Sequence, residues 1–354
     1  MLVVKAYSDA CRDRWNAFVQ CSPGATLFHL IGWKDAVEST FGHKSHYMMV
    51  EEDEQIRGVL PLFEVRSRLF GHALVSVPYG VYGGIVASDS ETKEMLGNSA
   101  RALADVMKVD YLELRNLSDG HSTGPEVFSD TNDPSWIAKD LYVTFQRPIH
   151  PDLDENLNAI PRKQRAMVRK GEKAGLVSRV GGLEDLAAFY AIYATNVRDL
   201  GTPVYPLDFF RAQMRALPDA FILSIWKDGV MVAGVLTFVF GSTLLPYYGG
   251  GLREYFDYAI NDFMYWELMR YGCEQGYTLF DFGRSKKETG SYKFKKHWGF
   301  EPTDLNYRFY LVKRKEMPNV SPLNPKYRLM INTWKRLPLP IANWLGPKLV
   351  RGIP

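Results

Sequence analysis

A carboxylate at the end of an apolar run, a glycine turn, and a lysine set between aromatic rings are the parts needed to hold a phosphate or stabilise an oxyanion. The sequence places them together in the run from Leu279 to Phe300, as Asp281, Gly283 and Lys295. Tyr277 to Phe282 is short, apolar and aromatic, as a buried strand is, with Asp281 near its end and Gly283 opening the turn behind it. Tyr292-Lys293-Phe294-Lys295 then alternates ring and ammonium. A lysine partly desolvated by such walls acts as a point charge toward a phosphate or a developing oxyanion. Lys295 is the candidate for that contact, and Asp281 for orienting it or accepting a proton. Arg284, Lys293, Phe294 and Trp298 are candidates for holding the substrate. The competing reading is a solvated basic helix face with Phe294, Trp298 and Phe300 as core. As an oxyanion contact on an exposed side chain, Lys295 is expected to be needed for turnover and to contribute little to thermal stability, so its removal should leave melting nearly unchanged.

A second set of cations lies in the segment 158–175. Pro161 suits a first helical turn and Gly175 a stop. Between them Arg162, Arg165, Arg169 and Lys173 recur every three to four residues, so a helix presents them as one stripe, able to hold phosphates bidentately. A solvated linker helix explains the same spacing. Tyr79, Tyr82, Tyr247 and Tyr248 sit beside glycines at expected strand ends, where they either stack on a ligand or pack as core. Tyr79 and Tyr248 are kept as binding candidates.

Other motifs exclude chemistry. His43-x-x-His46 has no nearby cysteine or acid to complete a metal set, so no metal is expected. Gly249-Gly250-Gly251 lacks a following Lys-Ser/Thr, and no GxGxxG or GxSxG occurs. Cys11, Cys21 and Cys273 are odd in number and scattered, which implies neither a disulfide framework nor a thiolate site.

The elements that must position these residues fall into two halves. A length of 354 residues suits two cores, and 46% hydrophobic with 23% charged residues describes a globular chain. The longest apolar run, Val230 to Phe240, is too short to span a bilayer and reads as a buried strand. Charged residues interrupt any leader-like stretch at the N-terminus, and a cytoplasmic location is expected. Each half reads strand, helix, helix, hairpin, strand, helix, strand, with hairpin turns at Glu52-Asp53-Glu54 and Lys227-Asp228-Gly229. The segment 117–135 reads as a polar loop. The expected domains are 1–150, 151–316 opening with the basic helix, and a basic, proline-rich arm, 317–354. From Lys313 onward nine Lys/Arg stand against Glu316 alone, about +8 in a chain of net charge +3. The prolines exclude one long helix. A brief helical or extended arm that packs on the body and touches an anionic inner membrane as a peripheral contact fits these residues.

This order of elements resembles the GNAT acyltransferase-like fold present twice, as in the FemAB family of peptidoglycan bridge-forming aminoacyltransferases and its BioF2-like relatives. The resemblance implies an α/β (α+β) protein of two tandem GNAT-like domains with a central cleft. More narrowly, Ile160-Pro161-Arg162-Lys163-Gln164-Arg165, Asp281-Phe282-Gly283-Arg284-Ser285-Lys286 and Ser321-Pro322-Leu323-Asn324-Pro325-Lys326-Tyr327 are similar to FemAB-related proteins of exosortase/PEP-CTERM and exopolysaccharide systems. Phe294-Lys295 matches the Phe-Lys pair associated with catalysis in the Fem ligases, and Asp281-Phe282-Gly283 their strand end. The resemblance implies transfer of an acyl or aminoacyl group, from aminoacyl-tRNA or acyl-CoA, onto an amine of a phosphate-bearing envelope or polysaccharide precursor, with no bound cofactor. Neither the coiled-coil insertion of some Fem ligases nor the Arg/Gln-x-x-Gly-x-Gly/Ala loop of acetyl-CoA enzymes has a counterpart here. A non-catalytic fold relative that binds such a precursor is the alternative.

Overall fold

Both halves of the chain run strand, helix, helix, hairpin, strand, helix, strand. The computed structural model describes residues 1–68, 70–117, 135–317 and 325–353, with the side chains of 325–328 outside that description. In chain order the first half forms β1 (Val3–Ala6), α1 (Arg12–Cys21), α2 (Ile31–Phe41), β2 (Lys44–Ser45), β3 (Met48–Glu52), β4 (Gln55–Leu60), β5 (Phe63–Ser67), β6 (Gly71–Val75), β7 (Val86–Ala87), α3 (Ser90–Met107), β8 (Tyr111–Asn116) and β9 (Trp136–Ala138). The second forms β10 (Tyr142–Pro148), α4 (Leu153–Asn158), α5 (Arg162–Lys173), β11 (Val177–Gly181), α6 (Leu186–Leu200), α7 (Leu207–Ala216), β12 (Phe221–Lys227), β13 (Val230–Phe240), β14 (Thr243–Gly251), α8 (Ile260–Glu274), β15 (Leu279–Asp281), β16 (Ser285–Lys286), α9 (Gly290–His297) and β17 (Pro302–Asp304). β18 (Asn306–Leu311), α10 (Pro325–Trp334) and α11 (Leu339–Val350) follow. The polar loop expected over 117–135 and the 321–324 part of the proline motif fall almost wholly outside the described residues.

The hairpins β3–β4 and β12–β13 turn where they were expected. Asp53 and Glu54 have φ of 48° and 66°, and Asp228 and Gly229 have 49° and 81°. Positive φ at both central residues gives a turn whose twist matches that of its strands. Each half also contains a parallel pair, β6 with β8 and β14 with β15, joined by a long helix on the sheet face.

The chain divides into two units. Unit 1 takes Met1–Tyr142, Asp304–Asn319 and Arg351–Pro354; unit 2 takes Val143–Thr303 and Val320–Val350. The expected 151–316 segment is therefore split. Its last strand, β18, pairs antiparallel with β8 from Asn306↔Asn116 to Leu311↔Tyr111 and lies in the sheet β2-β5-β6-β8-β18-β9 of unit 1. Unit 1 also holds the sheet β1-β3-β4-β7. The sheet of unit 2 runs β11-β12-β13-β14-β15-β10-β16, with β17 on β10. Among the described residues the arm is two short helices: Pro338 falls between α10 and α11, and Arg198 Nη1 donates to the Leu337 carbonyl at 2.9 Å, holding that break against α6. Among the described residues no helix is long and apolar enough to cross a membrane.

The core of unit 2 gathers Phe145, Phe280, Phe282, Trp298 and Phe300 with aliphatic residues of β12, β13 and α8. Helix α5 joins it through Val168 and Gly171, which are buried, while Arg162 and Arg169 are exposed and Arg165 is half-buried. A Cβ at Gly171 would lie 2.8 Å from Phe263 Cβ. Gly171→Val is accordingly expected to destabilise unit 2 by about 1–3 kcal/mol despite the better helix propensity of valine, read as a lower midpoint in thermal unfolding.

Candidate active site

In unit 2 the parallel strands meet only briefly. β14 and β15 pair at Thr243↔Leu279 and Leu244↔Phe280, after which β14 continues along β13 to Gly251 and β15 along β10. The carboxyl ends of the two strands thus part, leaving backbone and side chains around Asp281 facing a gap in the ladder; in open α/β sheets such ends are where ligands are met. Gly249–Gly251 are strand residues opposite Ala233–Val235, and form no phosphate loop.

Unit 1 has the same parting and closes it with its own chain. Beyond Val75↔Glu113, the segment 76–84 is tied across to β8. The buried Arg115 donates through Nη1 to the carbonyls of Val77 and Gly80, at 2.9 and 2.8 Å, and through Nε to Glu113. A Cβ at Gly84 would lie 1.8 Å from Asn116 Oδ1, so only glycine allows this approach. The parting in unit 2 is the candidate site.

Asp281 is 3% exposed and its carboxylate is surrounded by donors. Oδ1 accepts from the Gly283 N–H at 2.7 Å and from Thr144 Oγ1 at 3.3 Å; Oδ2 accepts from Gln146 Nε2 at 2.7 Å. Strand β10 supplies two of these because Gln146 is in register with Asp281 and Thr144 stands two residues away on the same face. The bond to Gly283 closes a small side-chain turn, helped by the left-handed φ of 66° at Gly283.

Helix α9 returns Lys295 over that turn. Its surroundings are not the expected ones. Lys295 is only 8% exposed, and its Nζ donates to the carbonyls of Phe282, Gly283 and Arg284 at 2.7, 3.0 and 3.3 Å. The ammonium also lies over the Phe145 and Phe282 rings, 5.5 and 6.0 Å from their centroids. Burial pushes it down to about 7, with Asp281 opposing the fall and Arg284 adding to it. The expectation that removing Lys295 leaves stability unchanged is therefore corrected, because the ammonium caps three carbonyls at the end of β15. All three of its N–H donors have acceptors, so a substrate oxygen must displace one of them.

The remaining candidates separate. Arg284 is half-buried beside the ammonium, and Lys293 points outward from α9. Phe294 packs on Tyr265 and Trp298. Trp298 is 0% exposed, with Nε1 donating to Asp262 Oδ1 at 3.0 Å, which makes it core and not a wall for substrate. Tyr248 is likewise buried among Tyr193, Tyr205 and Phe210, its hydroxyl accepting from Gln213 Nε2. Tyr79 belongs to unit 1, where its hydroxyl meets His43 Nε2 at 2.7 Å and the Arg351 carbonyl at 3.0 Å. The same contacts occupy His43. Arg162 and Arg169 are exposed on α5, and Arg165 donates through Nη1 to the Asn158 carbonyl at 2.9 Å. The stripe is present, but no contact joins it to Asp281 or Lys295 among those described.

Thr144, Gln146 and Ser285 were not singled out from the sequence. Ser285 is 4% exposed, and its Oγ has no hydrogen-bond partner among the described residues. A buried hydroxyl left unmatched costs free energy unless something else meets it. The first two were hidden because their partner is on a strand more than a hundred residues away.

Residues 161–296 match the family described as acetyltransferase (GNAT) domain. The chain is 32% identical over 371 residues to the lipid II:glycine glycyltransferase of Staphylococcus aureus strain MRSA252, a match covering 80% of this chain and 87% of that protein. A crystal structure of FemX superposes with a TM-score of 0.70 at 18% identity, covering 93% of this chain and 100% of that one. A tandem GNAT protein from the clavulanic acid biosynthesis pathway superposes with a TM-score of 0.52 at 13% identity, covering 89% and 100%. The fold is thus an α/β arrangement of tandem GNAT-like domains.

Proposed function

The chain belongs to the FemAB-like family of GNAT-fold acyltransferases, and we propose that it moves an aminoacyl group from an ester donor onto an amine of a phosphate-bearing cell-wall precursor. The observation that carries this reading is the meeting of Asp281 and Lys295 where β14 and β15 part. The amine attacks the ester carbonyl, a C–N bond forms and an oxyanion develops; the C–O bond then breaks and the amine's proton leaves with the alcohol. A charge buried among Phe145 and Phe282 acts on that oxyanion far more strongly than it would in water. The longest of the three lysine contacts, to the Arg284 carbonyl, is the one the oxyanion replaces. Asp281 holds the turn that presents those carbonyls and keeps Lys295 protonated.

The donor in this reading is aminoacyl-tRNA, with acyl-CoA the competing donor. The arginines of α5 hold phosphates of donor or acceptor, and the resemblance of the 160–165 and 281–286 motifs makes an exopolysaccharide precursor of an exosortase/PEP-CTERM system the alternative acceptor. Purified protein is tested with aminoacyl-tRNA and with acyl-CoA against amine-bearing nucleotide- and lipid-linked precursors, followed by mass. The expected result is one aminoacyl increment from the ester donor. No increment with any pair would sink the transferase and leave a precursor-binding protein. In the same assay Arg162→Ala with Arg169→Ala is expected to raise KM about tenfold with kcat and melting unchanged, since both side chains are exposed and a charge-assisted phosphate contact is worth about 1.5–3 kcal/mol.

A further inference from the structure

The last two helices carry cations without a carboxylate and turn apolar residues outward. From Met317 to Pro354 the sequence has Lys326, Arg328, Lys335, Arg336, Lys348 and Arg351 and no Asp or Glu. Helix α11 packs inward through Ala342, Gly346 and Val350, at four-residue spacing. A Cβ at Gly346 would lie 2.9 Å from the Val204 backbone, so this face is tightly seated on unit 2. Ile341, Trp344 and Lys348 occupy the opposite side at i, i+3 and i+7. Ile341 is 45% and Trp344 63% exposed, with the Lys348 ammonium 3.5 Å from the centroid of the indole. On α10, Trp334 is buried while Leu329 and Met330 are 78% and 54% exposed, and Lys335 and Arg336 follow in the open.

Single exposed apolar residues are ordinary. Four of them on two short helices that are each packed on one side, mixed with cations and free of acids, describe a surface that lies in a lipid interface. Cations alone would suit RNA equally, but Leu329, Met330 and Ile341 offer an RNA neither charge nor a ring to stack on. A protein partner would favour fewer lysines at its centre.

We propose that the α10–α11 arm is a membrane-docking surface, seating Ile341 and Trp344, with Leu329 and Met330, at the headgroup boundary of an anionic bilayer while Lys335, Arg336 and Lys348 meet lipid phosphates. It deepens the proposed function and rests on it only in saying why a lipid-linked acceptor would be met there. The full chain is sedimented with phosphatidylglycerol-containing vesicles and with neutral phosphatidylcholine vesicles, neither carrying an acceptor. Binding to the first alone, weakening with salt, is expected. Ile341→Ser with Trp344→Ser should weaken that binding about tenfold, with the melting midpoint and transfer onto a soluble acceptor unchanged. Lys335→Gln with Arg336→Gln and Lys348→Gln should weaken it similarly and flatten its salt dependence. Absence of vesicle binding, binding that survives loss of Ile341 and Trp344, or retention on tRNA in place of vesicles would each overturn the proposal. Vesicle binding without transfer to any acceptor would remove the proposed function and leave the docking surface standing.

Discussion

Replacing Lys295 by alanine is expected to lower thermal stability and transfer together. The carbonyls of Phe282, Gly283 and Arg284 lose their shared donor inside a buried site. Leaving such groups unmatched costs about 1–3 kcal/mol each when water does not reach them, so a loss of at least about 2 kcal/mol is expected in chemical or thermal unfolding. Turnover should fall about 10²–10³-fold if the ammonium contacts the oxyanion. Lys295→Met fills the space of the stem without the donors and separates lost volume from lost hydrogen bonds. Lys295→Arg keeps a charge but brings a planar fork to a position built for a compact ammonium, so it should rescue only partly. A Lys295→Ala protein that melts and turns over like the parent would sink both roles.

The pH dependence of the unaltered protein distinguishes the two roles, because they carry opposite signs. The ammonium has a folded pKa of about 7 against 10.5 for a lysine in water. Between those values the unfolded chain holds a proton the folded chain has released, so stability rises with pH there, by at most about 1.4 kcal/mol per unit. That contribution is complete above the unfolded value and is lost as pH falls through about 7. Transfer that needs the ammonium runs the other way, declining as pH rises through the same point. Falling turnover against rising stability over this window is the expected signature, and both slopes should vanish in Lys295→Met.

Why the burial of Lys295 escaped sequence reading is a matter of periodicity. Tyr292-Lys293-Phe294-Lys295 alternates ring and ammonium, which by itself sets the two lysines alike, yet on α9 residues two apart point about 200° from each other. One lysine therefore goes out and the other in: Lys293 is exposed and Lys295 buried. The repeated order of elements was legible because each hairpin has its charged or glycine turn and each long helix its apolar stripe. Asp281 and Gly283 were legible for the same local reason. The crossing of β18 into unit 1 was not, since the pairing of Arg308 with Leu114 leaves no mark near either residue. Trp298 and Tyr248 show the limit from the other side: an aromatic beside a glycine is written alike whether it stacks on a ligand or on Phe210.

Asp281→Asn and Asp281→Ala should part company, and the way they do so assigns the carboxylate its role. In the asparagine variant the side-chain oxygen can keep the Gly283 N–H, while the new amide faces Gln146, whose own amide can turn to offer its oxygen. Stability should then change by no more than about 1 kcal/mol. The charge is gone, however, and it is the Asp281 charge that holds the Lys295 pKa up. The decline of turnover with pH should move below 7, and a shift of one unit would cost about tenfold in ammonium at pH 8. In the alanine variant the Gly283 N–H loses its acceptor at a left-handed turn, so melting should fall as well, by about 1–3 kcal/mol. Were Asp281 the base that takes the amine's proton, asparagine would depress turnover evenly at every pH without moving the decline. Were it only a brace for the turn, asparagine would be silent in the pH profile and alanine alone would be damaging. A displaced decline in the asparagine variant, with its fold intact, is the result expected of a residue that acts through Lys295.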